Sequence, residues 1–105
     1  MNLKMDLTKE DLLMFFKDYQ LDAMNTIWES DRGLSTREVW KSVGENRISR
    51  ASIINFLEEA TENRLLEKSL ETGKGGHHGI YSSPKGEQGT RKYLKKVFRE
   101  KLDKL

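Results

Sequence analysis

The chain has 105 residues, 35% hydrophobic and 34% charged, with no cysteine and a formal net charge of +2. That composition fits one compact domain with a small core, and it excludes a disulfide framework or a thiolate metal site. The longest apolar run, Leu12 to Phe16, is far too short to span a membrane, and the first residues lack the basic stretch and apolar core of a secretory signal, so a cytoplasmic protein is expected.

Thr8-Lys9-Glu10-Asp11 resembles a helix-capping box, with an acidic residue three positions after the N-cap candidate. Behind it, Leu12, Phe15, Phe16 and Tyr19 recur at helical spacing, and the period continues through Ala23, Met24, Ile27 and Trp28. Residues 9–30 therefore predict one helix, or two with a bend near Asp18, stopped by Asp31-Arg32-Gly33. Ser35-Thr36-Arg37-Glu38 is a cleaner capping box and starts a short helix whose buried face is Val39, Trp40 and Val43. Gly44-Glu45-Asn46 ends it. Ser49 is the next N-cap candidate, for a helix reaching about Asn63 with Ile53, Leu57 and Ala60 on its inner stripe. Two short helices separated by a few turn residues are a helix-turn-helix signature.

Leu65 to Thr72 allows a strand, although its alternation is weak, and Ile80 to Ser83 reads as a returning strand. Between them Gly73-Lys74-Gly75-Gly76-His77-His78-Gly79 predicts a flexible loop, so the pair forms a wing. After Pro84 a last helix, about 87–105, carries Leu94, Val97, Phe98, Leu102 and Leu105 among basic residues. The expected fold is mainly α with a small β-hairpin: a winged helix-turn-helix over 16–84, an added N-terminal helical extension over 1–15, and a basic amphipathic C-terminal dimerisation helix over 85–105.

The order of elements and four sequence fragments resemble the penicillinase-repressor family of winged-helix regulators. Residues 16–29, ending Ile27-Trp28-Glu29, resemble the family's first helix with its Leu-Trp-Glu-like ending. Ser35-Thr36-Arg37-Glu38-Val39 resembles its Thr-Val-Arg-Glu-Val second-helix start. Ser52-Ile53-Ile54-Asn55-Phe56-Leu57 resembles the Thr-Val-Leu-Asn-Thr-Leu run of its recognition helix, and Leu65-Leu66-Glu67 the Gly-Leu-Leu lead-in to its wing. The resemblance implies repression by occupation of promoter DNA. The chain also departs from the pattern. Arg64 stands where the family usually has Gly, which leaves Asn63 to supply a left-handed cap. Family repressors of β-lactamase are inactivated by cleavage of an Asn-Phe bond in the dimerisation region; here the only such bond, Asn55-Phe56, lies inside the expected recognition helix, so that regulation is not carried over. The cysteine-based copper sensing of another branch is excluded.

Charge follows the same order. Residues 1–31 carry three lysines against seven carboxylates, residues 32–50 five bases against two acids, and residues 85–105 eight bases against three acids. Two separate basic blocks suit a polyanion, because affinity for nucleic acid depends on local basic surface. In the third helix Arg50 suits guanine and Asn55 suits adenine, each by a bidentate pattern, and Ile54 suits a thymine methyl. Ser49, Ser52 and Arg47 flank that helix start, and Thr36 and Arg37 sit where a helix N-terminus offers N–H groups to a phosphate. Lys74 and His77 are the wing candidates. Adjacent histidines with no cysteine nearby suit a metal poorly, so no metal or other cofactor is expected. No nucleophile–base arrangement or phosphate-cradling loop is present, so an enzyme is not expected. The expected partners are double-stranded DNA, read as an inverted repeat, and a second copy of the chain packed through Leu94, Val97, Phe98, Leu102 and Leu105, with no membrane and no evident small-molecule ligand. The main alternative is a winged-helix protein-interaction module, and RNA binding is a weaker third.

Overall fold

A computed structural model describes residues 4–73 and 76–105. The apolar stripe near the N-terminus does not build one long helix. Asp6 accepts hydrogen bonds from Thr8 N (2.9 Å) and Thr8 Oγ1 (2.5 Å) through Oδ1, so the expected N-cap hydroxyl is spent in a turn. Only a short 3-10 helix, Asp11–Met14, follows, in place of the expected helical extension. It still delivers Leu12 and Phe16 to the core, where Phe16 meets Phe56 edge to face at 6.0 Å between ring centroids.

Helix α1 spans Asp18–Glu29 and starts where Gln20 Oε1 accepts from Lys17 N at 2.9 Å. A two-residue strand, β1 (Leu34–Ser35), was not legible in the sequence; it leads directly into α2 (Thr36–Val43). The capping box there forms as expected, with Glu38 N donating to Ser35 Oγ (3.2 Å) and Ser35 N to Glu38 Oε1 (3.1 Å). Gly44, at φ 129°, closes α2 in a conformation that side chains disfavour. Helix α3 (Arg50–Glu62) begins at Ser49, whose Oγ accepts from Ser52 N at 3.1 Å. Trp40 Nε1 donates to Ile48 O at 2.8 Å, tying α2 to the turn and fixing the angle of the helix pair.

At the end of α3 the left-handed residue is Arg64 (φ 63°), whereas Asn63, expected to take that role, keeps φ −80°. The turn is held instead by backbone bonds, Asn63 N to Glu59 O (2.9 Å) and Leu65 N to Ala60 O (2.9 Å), which drive Leu65 and Leu66 into the core.

Strands β2 (Glu67–Gly73) and β3 (Gly76–Ser82) pair antiparallel, and β1 adds to β3, giving the order β1-β3-β2. The strands therefore run further than the glycine run predicted: Gly73 pairs with Gly76, and His77, His78 and Gly79 are strand residues. Gly33 is required where β1 approaches β3, since a Cβ there would lie 2.5 Å from Ile80 Cγ2. Helix α4 (Gly86–Asp103) packs Leu94 into the same core as α1 and α3. Four helices and this sheet make a winged-helix fold.

Candidate nucleic-acid interface

The first two turns of α3 present Arg50, Ala51, Ile54 and Asn55 to solvent, while Ile53, Phe56 and Leu57 face inward. The split follows from spacing: 50 and 54, like 51 and 55, lie one turn apart on the outer side. Among the described residues Arg50 makes no ion pair, and Ile54 is 38% exposed. Ala51, not singled out in the sequence, lies three and four residues before Ile54 and Asn55 on the same side. Its small side chain lets a ligand come close to the helix backbone. The remaining exposed residues of α3 include Glu59 and Glu62, with Glu58 half-buried, so phosphate would be repelled from the C-terminal half and tolerated only at the start.

The other expected contacts divide into free and engaged groups. Arg37 is exposed and Thr36 half-buried at the N-terminus of α2, where backbone N–H groups point outward. Lys41, not singled out in the sequence, is exposed on the same helix. Arg47 is ion-paired to Asp22 of α1, so it clamps α1 to the turn before α3. Ser49 and Ser52 share a hydroxyl–hydroxyl bond of 2.9 Å in addition to the cap, so both hydroxyls are used within the protein. Arg32 pairs with Glu38, and that guanidinium, together with Ser35 N–H, pulls the Glu38 carboxyl down to about 2.

The wing is braced against α3 by a junction far apart in sequence. Tyr81, 2% exposed, donates its hydroxyl to Glu58 Oε1 at 2.7 Å, and Lys68 Nζ reaches the same oxygen at 2.6 Å. Lys68 first, then Tyr81, hold the Glu58 carboxyl below its ordinary range; burial, followed by Glu58, pushes the Tyr81 phenol up. Because strand residues alternate in face, Tyr81 shares its side of the wing with Gly79 and His77, and across the register with Lys68, Leu70 and Thr72. That side turns toward α3. Thr72 Oγ1 and His77 Nδ1 lie 3.2 Å apart on it, and Leu70 is 67% exposed. His78 falls on the opposite face, so the two histidines cannot converge on one ion from a single strand. Lys74, the other wing candidate, lies outside the described residues.

The expected dimerisation stripe is not uniform. Leu94 is buried in the protein's own core at 1% exposure, so it stabilises the protomer and is not available as contact surface. Thr90, one turn earlier on the same side of α4, is buried as well. Val97 and Phe98 are half-buried, Leu102 is 48% exposed and Leu105 fully exposed. Arg91 binds Asp11 Oδ1 (2.6 Å) and Glu87 Oε2 (3.2 Å), fastening the N-terminal segment to α4. Tyr93 donates to Asn63 O at 3.2 Å, seating α4 on the C-terminal end of α3.

No protein-family profile and no curated protein matches the chain. A solved structure described as a possible transcriptional regulator from Methanosarcina mazei Go1 superposes with a TM-score of 0.64 at 18% identity, covering 85% of this chain and 75% of that one. The likeness is one of fold. Among the described residues no helix is long and apolar enough to cross a membrane.

Proposed function

We propose that the chain is a transcriptional regulator of the penicillinase-repressor-like kind, a homodimer that binds an inverted repeat in double-stranded DNA and represses by occupying a promoter. The observation that carries this reading is the composition of the α3 start. Arg50 and Asn55 stand exposed there, on the turns that enter a major groove in this fold, and the helix's acids lie behind them. Arg50 would take guanine O6 and N7, Asn55 adenine N6 and N7, and Ile54 a thymine methyl. Ala51 leaves room for the groove wall. Thr36, Arg37 and Lys41 would meet phosphates on one side of the groove, and His77 with Lys74 on the wing would meet the backbone on the other. Ser49 and Ser52 act through the cap that orients Arg50, and Arg47 through its pair with Asp22, so these three position the helix.

In the dimer, Val97, Phe98, Leu102 and Leu105 of two copies would pack together, spacing the two recognition helices about 34–36 Å apart, one turn of duplex. The protein would act in the cytoplasm, without cofactor and without catalysis. A protein-docking role is favoured by the exposed Leu70 of the wing and Ile54 of α3. Arg50→Ala separates the two. It is expected to cost about 1–3 kcal/mol of DNA binding and to relax preference at one base position. Unchanged affinity and unchanged preference would remove Arg50, and with it the base-reading role of α3.

A further inference from the structure

We propose that the outer face of α4 is a second phosphate-binding surface, engaging the backbone of duplex DNA beyond the bases that α3 reads. The inference rests on the reading of the chain as a DNA-binding protein and adds a site to it.

Lys92, Lys95, Lys96 and Arg99 recur at i, i+3, i+4 and i+7, which places all four on one side of the helix, and all four are exposed. They create four like-charged neighbour pairs one turn apart, an arrangement that opposes helix formation. Among the described residues none of the four is ion-paired, although Glu100 and Asp103 lie on the next turn. Arg32, Arg47 and Lys68 each hold a carboxylate, and on α4 itself Arg91, toward the core, holds two. On α4 the four lie on the side opposite the buried Leu94.

The chemistry of the stripe selects its partner. On this side Gln88 precedes the stripe and Asp103 follows it, and between Lys92 and Arg99 no large apolar or aromatic side chain interrupts the cations. Protein interfaces are built around apolar and aromatic centres and are depleted in lysine, so a bare lysine stripe is a poor protein-docking face. An amphipathic helix that lies in a membrane inserts its whole apolar side, but α4 has buried Thr90 and Leu94 of that side in its own domain. A phosphate backbone needs only closely spaced cations. Seven residues of helix rise about 10 Å, and one DNA strand carries a phosphate every 3.4 Å of axis, so the stripe matches about three phosphates. It is separate from the reading surface: α4 sits on the C-terminal end of α3 through Tyr93 and Asn63, and Arg50 begins the other end.

The test is a titration of the full chain with labelled duplex DNA of about 40 base pairs, once with the preferred site and once of random sequence, between 50 and 200 mM salt. The variant is Lys92→Gln/Lys95→Gln/Lys96→Gln/Arg99→Gln, which keeps the helix-forming stems and removes repulsion, so its thermal midpoint should equal or exceed that of the parent. Loss of about three phosphate contacts lowers the salt slope by about 2.7, so the variant's affinity deficit is about 40-fold larger at 50 mM than at 200 mM salt. Sequence preference stays as in the parent. An unchanged slope on both duplexes overturns the proposal while leaving α3 as the reading element. Steep salt-dependent binding to random duplex that the variant loses, in a parent with no sequence preference, keeps the α4 surface and removes the reading role of α3. Loss of adhesion to phosphatidylserine vesicles, with duplex binding intact, would reassign the stripe to membranes and overturn the proposal.

Discussion

Tyr81→Phe removes one oxygen atom and tests whether the wing is held by the junction on Glu58. The ring stays, so the apolar packing of Tyr81 survives, and the Glu58 carboxylate loses its partner at 2.7 Å while keeping Lys68 at 2.6 Å. Hydrogen bonds to charged groups contribute about 1.5–3 kcal/mol. The Glu58 side chain is 43% exposed, so water replaces part of the lost bond, and a cost of about 1–1.5 kcal/mol is expected. For a chain of this size that lowers Tm by about 4–8 °C, or the urea midpoint by about 1 M. Urea unfolding followed by far-ultraviolet circular dichroism measures it directly. The deficit has a pH signature. Glu58 is held below its ordinary value of 4.5, so its contribution is present above that value and is lost as pH falls through its depressed range. Parent and variant should therefore converge in acid. A variant within about 0.3 kcal/mol of the parent at neutral pH, or a deficit that grows in acid, would show that the Tyr81–Glu58 bond does not hold the wing.

Four further outcomes follow from named residues. Arg64→Gly is expected to stabilise by about 0.5–1 kcal/mol, because glycine adopts φ near 63° freely and Lys85 binds the Arg64 main-chain carbonyl, which the change retains; thermal unfolding checks it. Ser35→Ala should cost about 0.5–2 kcal/mol, since Glu38 N then has no cap acceptor, read by the same assay. Glu38, held at about 2 against an ordinary 4.5, contributes stability above 4.5 that fades as pH falls toward 2, so Glu38→Gln should flatten the acid limb of a stability–pH profile in that window. Leu94→Ala and Leu105→Ala should part ways: the first costs about 2–4 kcal/mol of folding stability, the second leaves folding intact and weakens self-association in sedimentation equilibrium.

Much of the fold was legible because its signals are local. The Ser35-x-x-Glu38 box and the Ser49 cap each fix a helix start within four residues, and the inner stripe Ile53, Leu57, Ala60 fixes which side of α3 is buried. What the sequence hid depends on distant partners. Thr8 matched a cap pattern, but Asp6 captured its hydroxyl. β1 is two residues long, too short for any period, and it pairs with β3 where Gly33 leaves room for Ile80. β2 shows little alternation because all seven of its residues are exposed, the wing projecting beyond the core. On α3, the exposure of Arg50, Ile54 and Asn55 was readable from spacing alone. The engagement of Arg47 by Asp22, of Lys68 by Glu58 and of Leu94 by the core was not, since each partner lies on a different element.

Selection of preferred sites from a pool of random duplex DNA, followed by titration of the winning duplex at two salt concentrations, shows most directly whether two copies of the chain read a sequence. The expected result is a palindromic site with half-sites one helical turn apart, bound by two copies far more tightly than random duplex and with steep salt dependence. A pool that enriches no sequence, bound weakly and equally at every site, would contradict it and leave the chain without a base-reading role.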